Sequence, residues 1–107
     1  MELSEFEKMV NGGGFRPIGK RKTPLGSILL AERKFSYHRL ALPEFTGAHW
    51  QILWGIERDG AEIAQRLFFD VMVPRETRIL ATMKTALDFM ADRAYAVSDQ
   101  GQMDARG

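Results

Sequence analysis

Residues 45–60, FTGAHWQILWGIERDG, constrain the fold more than any other stretch of the chain. They hold both tryptophans, a dense apolar run and a closing Asp59-Gly60. At helical spacing Trp50, Leu53, Trp54 and Glu57 fall on adjoining turns. At strand spacing Trp50, Ile52, Trp54 and Ile56 share one face. Both periods fit. As a helix the stretch is the core of a helical DNA-binding domain; as a strand it is the centre of a small sheet. Asp59-Gly60 carries the same choice. It is a hairpin turn between strands, or a helix start with Asp59 capping and Glu62 at the third helical position.

The rest of the sequence tips the reading toward helix. Residues 2–10 place Leu3, Phe6, Met9 and Val10 on one stripe, stopped by Asn11-Gly12-Gly13-Gly14. Phe15 to Lys22 reads as a basic arm with Arg16, Lys20, Arg21 and Lys22 and no acid among them. Thr23-Pro24 can open a helix, because threonine caps and proline fits the first helical position. That helix runs to Leu42 with Ile28, Ala31, Phe35 and Leu42 on one face, ended by Pro43. A strand over 35–42 is the rival, since Phe35 and Tyr37 favour strands. Beyond Asp59, residues 60–72 carry a stripe of Ile63, Ala64, Leu67, Phe68, Val71 and Met72. Phe69 falls on the wrong side of it, and Phe68 to Val73 has strand-like content. Pro74 opens the clearest helix, Arg75 to about Ala91, with Ile79, Leu80, Met83, Leu87 and Met90 as its apolar stripe. Residues 98–107 are polar and read as a tail.

The chain has 107 residues, enough for one domain with a modest core. Net charge is +1, so any nucleic-acid footprint has to be local. There is no cysteine, which excludes disulfides, thiolate zinc sites and thiol nucleophiles. No apolar run approaches the ~20 residues of a membrane span, and the acidic, polar start does not resemble a secretory signal. A cytoplasmic protein is the expectation.

No catalytic constellation stands out, and we expect no enzyme and no cofactor. His38 and His49 lie eleven positions apart without metal-ligand spacing. Ser27, Ser36 and Ser98 lack a nucleophile elbow. Gly12-Gly13-Gly14 is not followed by the Lys-Ser or Lys-Thr of a phosphate loop. Asp70, between two apolar runs, is either exposed or paired with Arg66.

Pro24-Leu25-Gly26-Ser27, His38-Arg39-Leu40, and Phe45-Thr46 with Trp50 and Leu53 resemble the first half of a MarR-type regulator of the SlyA branch. Glu62 to Leu67 resembles that family's next helix, and Arg75 to Leu87 its recognition helix. The chain departs from the family in a shorter first helix, a longer connection from Leu67 to Leu80, and a missing wing and C-terminal dimerisation helices. The resemblance implies a mainly α, winged-helix-like domain that binds duplex DNA as a homodimer. Its divisions would be an N-terminal helix and arm over 1–22, a helical domain over 23–92 and a tail or remnant wing over 93–107. Arg75, Thr77, Arg78 and Lys84 would face the major groove, with Lys20, Arg21 and Lys22 on phosphates. Residues 2–10 would be the remaining dimer element. The alternative is an α+β meander with a C-terminal helix, in which aromatic rings stack on single-stranded DNA. A third reading is a non-catalytic module that binds another regulator.

Overall fold

The fold comes from a computed structural model that describes residues 3–37 and 47–106, with side chains described over 3–35 and 48–93. His38, Pro43, Phe45 and Thr46, which bore on the helical reading, lie outside the described residues.

The chain is α+β. In order it forms α1 (Glu5–Gly13), β1 (Arg16–Thr23), β2 (Gly26–Tyr37), β3 (Gly47–Arg58), β4 (Ala61–Asp70) and α2 (Arg75–Arg106). The four strands make one antiparallel sheet in the order β1-β2-β3-β4. The mainly α, winged-helix expectation is therefore overturned: the helix expected from Pro24 is β2, the segment at 60–72 is largely β4, and the tryptophan stretch is the central strand β3. The basic arm is an edge strand. The polar segment after Ser98 continues α2 to Arg106.

Local chemistry explains each reversal. Asp59 and Gly60 have φ of 50° and 79°, the double positive φ of a type I′ turn, whose twist matches the flanking strands. Arg58 and Ala61 close the ladder around them. Pro24 sits in the corner of another two-residue turn between Thr23 and Gly26. The Thr23 hydroxyl donates to the Gly26 carbonyl at 2.6 Å and accepts from the Leu25 N–H at 3.2 Å. Threonine and proline thus shape a turn, as proline's fixed φ also allows.

Strand alternation then sorts the sheet into two faces. Ile28, Leu30, Ile52, Trp54 and Ile56 pack with Ala86 and Met90 of α2. Ala31 and Leu53 pack on the opposite face with Phe6 of α1 and Phe15. Both central strands are apolar on both faces, which is why β3 fits a helical period as well as a strand period. Gly55 marks the docking point of α1: a Cβ there would meet the Ile63 carbonyl at 3.0 Å and the Phe6 ring at 3.1 Å. α1 is capped by the Ser4 hydroxyl, which accepts from the Glu7 N–H at 3.1 Å, and by Gly14 in the left-handed region. Glu62 of β4 accepts from the Phe6 N–H at 3.1 Å, fixing the start of α1 to the sheet. The apolar stripe of residues 2–10 is thus turned largely inward, onto the chain's own sheet. Among the described residues no helix is long and apolar enough to cross a membrane.

Candidate functional site

α1 is nine residues long and packs on β3 and β4, so it covers only part of its face of the sheet. Toward the end where β2 finishes and β3 begins, that face carries Phe35, His49 and Phe68. Cross-strand pairing puts Phe35 opposite His49 on β2 and β3. Phe68 on β4 lies diagonal to His49, opposite Gln51. The ring centroids are 5.3 Å apart from Phe35 to His49 and 5.5 Å from His49 to Phe68, both tilted. Phe35 is 39% and Phe68 60% exposed. Two large apolar rings this exposed, flanking a half-buried histidine, are uncommon at a surface that has no use for them.

A polar network holds the row in place. Arg33 donates from Nε to the Gln51 Oε1 at 2.9 Å and from Nη1 to the Gly13 carbonyl. The Gln51 amide nitrogen lies 2.9 Å from Nε2 of His49. The Arg33 guanidinium also lies over Phe15 and Phe35, 4.5 and 5.4 Å from the ring centres. Arg33 therefore ties the α1 terminus, the sheet floor and the first ring of the row together.

At the β2 edge of the sheet, a cleft of about 240 Å³ is lined by Gly14, Arg16, Glu32, Arg33, Lys34 and Trp50, of which Arg16, Glu32, Lys34 and Trp50 alternate to the α2 face, away from the row. It lies where β1 has already ended its pairing, at Arg16 opposite Glu32, while β2 runs on. Arg16 and Lys34 are exposed there. The whole hairpin from Arg16 to Tyr37 carries six basic residues and one acid, Glu32. A net charge of +1 thus conceals a basic hairpin and an acidic remainder.

The residues singled out from sequence do not converge. Lys20 and Lys22 lie on the α1 face at the far end of β1, and Lys20 pairs with Glu57 at 3.3 Å. Arg21 alternates to the other face. Thr77 and Lys84 are exposed on α2, behind the sheet. Arg78 is only 4% exposed: it lies 3.7 Å from Glu32, donates to the Val73 carbonyl at 2.7 Å and stacks 4.0 Å from the Trp50 ring centre. Arg75 donates to Glu32 at 3.1 Å. Together Arg75 and Arg78 anchor the start of α2 to β2, which is a structural task. Among the described residues there is no helix-turn-helix and no cluster of His, Cys, Asp and Glu able to hold a metal. The row Phe35–His49–Phe68 and its support Arg33 escape the sequence reading; once Asp59-Gly60 is taken as a hairpin turn, Phe68 falls on the same face as His49.

Comparison with protein-family models, with curated proteins and with solved structures gives no match, so no family assignment accompanies the MarR-type resemblance.

Proposed function

We propose that this protein binds single-stranded nucleic acid at the end of the α1 face that α1 itself does not reach. The observation that carries the reading is the aromatic row Phe35–His49–Phe68, laid across three adjacent strands. A four-stranded sheet with exposed rings is a natural platform for splayed bases, because every base has a π-face to stack. On the same face Arg33 lies against Phe35 and the exposed Arg66 stands beside Phe68 on β4, cations available to the phosphates that follow. Duplex is a poor fit for such a surface, since its bases are already stacked and its edges lie within grooves.

The test is fluorescence anisotropy with labelled single-stranded and duplex oligonucleotides at low salt. Single strands should bind more tightly than duplex. Phe35→Ala should weaken single-strand binding by roughly 5- to 150-fold, the equivalent of ~1–3 kcal/mol for one stacked base. Its melting temperature should stay close to that of the parent, because the Phe35 ring is not in the core. Tighter binding to duplex, or no binding to either with the fold intact, would overturn the proposal.

A further inference from the structure

The two edges of the sheet are built differently. β1 bears Pro17, a register shift between Pro17 and Gly19, and the run Lys20-Arg21-Lys22. These are the devices by which edge strands resist pairing with another chain. β4 has none of them. It pairs with β3 from Ala61 to Asp70 without a shift, contains no proline or lysine, and exposes Phe68. Its half nearer the turn is engaged by α1, through Glu62 and Ala64. Among the described residues, the half from Arg66 to Asp70 is left as a regular open edge.

We infer that this half of β4 pairs antiparallel with β4 of a second copy, about a two-fold axis through Phe68. Direct pairs across such an axis must lie on the same face, so only registers centred on a residue are allowed. A centre at Arg66 sets Arg66 against itself and Glu62 against Asp70, which like-charge repulsion disfavours. A centre at Ala64 joins Glu62 to Arg66, but Glu62 already holds α1 and Phe68 gains no ring partner. A centre at Leu67 sets Arg66 against Phe68 and Asp70 against Ala64, leaving both charges without a partner, whereas a centre at Phe68 satisfies every position. Phe68 meets Phe68 of the second copy, Leu67 meets Phe69 on the α2 face, and Arg66 meets Asp70 twice.

This inference rests on the proposed binding surface and extends it. The axis would join the two aromatic rows into one track, Phe35–His49–Phe68 continuing into Phe68, His49 and Phe35 of the second copy. Among the described residues, Asp70 is the acidic side chain at the end of each row, opposite His49. Paired with Arg66 across the axis, it would no longer repel a nucleic-acid backbone. The pairing spans five residues per chain, well below the ~800 Å² per partner of a standard interface. The dimer therefore forms reversibly with concentration.

Sedimentation velocity of the free protein from about 1 μM to about 1 mM should show a monomer–dimer equilibrium. Arg66→Asp places like charges across the axis and should leave a monomer whose circular dichroism matches the parent. The chain has no cysteine, so single cysteines report the register directly. Phe68→Cys should form a disulfide-linked dimer under mild oxidation, while Ala61→Cys, at the far end of β4, should not. Monomers at every concentration, or equal cross-linking of both variants, would overturn the inference. A monomer that still binds single strands would sink the dimer alone. A dimer that binds none would sink the binding surface alone.

Discussion

At the scale of single residues, the charges that matter most for stability are the hidden ones. Glu32 sits with its side chain 10% exposed between Arg75 and Arg78, and Arg78 is buried against Trp50. Removing the carboxylate leaves a buried guanidinium held by one carbonyl and one ring face. Glu32→Ala should therefore destabilise the fold by ~3–5 kcal/mol, the usual result of breaking a buried pair from one side. Glu57→Ala breaks only the exposed pair with Lys20 and should cost less than ~1 kcal/mol. Urea denaturation of both variants checks the contrast; equal losses would mean that Glu32 is better solvated than its surroundings indicate. The two tryptophans divide in the same way. Trp54 is fully buried and meets Phe89 edge-on at 5.5 Å, whereas Trp50 is half-buried beneath Arg78. Sequence places both rings on one strand face but cannot say which of them the helix will cover.

At the scale of elements, α2 is legible in the sequence because Pro74 and a sustained apolar stripe agree on it. α1 is legible in type, with its end misplaced by three residues of glycine and asparagine that remain helical before Gly14. The sheet is ambiguous for a physical reason. Central strands covered on both faces lose the polar alternation that marks a strand, so β2 and β3 match a helical stripe equally well. The deciding signal is Asp59-Gly60, and the helix-forming residues after it outweigh it. Taken as a turn, it fixes the whole β3–β4 register down to His49 opposite Asp70. The β2–β3 register has no such marker, because their connection is long. Hence Phe68 can be found beside His49 from sequence, while Phe35 cannot. The turn itself is testable. A Cβ on Gly60 would meet nothing within 4 Å, so only its positive φ resists substitution. Gly60→Ala should cost ~1–2 kcal/mol through backbone strain, and Asp59→Asn should change stability by less than ~0.5 kcal/mol, since asparagine suits the same turn. Thermal melts followed by circular dichroism would distinguish the two.

At the scale of the whole molecule, a sheet covered by a long helix on one side and a short one on the other is asymmetric by construction. α2 seals one face along β2 and β3, and α1 covers only part of the other, at β3 and β4. The charge is asymmetric as well, with the basic excess confined to the β1–β2 hairpin. A strand lying on the aromatic row would meet the cations of that face, Arg33 against Phe35 and the exposed Arg66 beside Phe68, and not Arg16 and Lys34, which alternate to the α2 face with Glu32 and Trp50. Salt dependence separates these locations without assuming any sequence preference. Withdrawing one cation from a single-strand phosphate should lower the slope of log K against log salt by ~0.7. Arg66→Ala should do so, whereas Lys34→Ala, on the α2 face of the same sheet, should leave the slope unchanged. Arg93→Ala removes the same charge from α2, where Arg93 lies over Phe89 on the opposite side of the sheet, and should leave the slope unchanged. Salt titrations of the parent and these variants on one oligonucleotide decide the matter. If all three single substitutions lower the slope alike, attraction by overall charge accounts for binding, and the aromatic row has no special part in it.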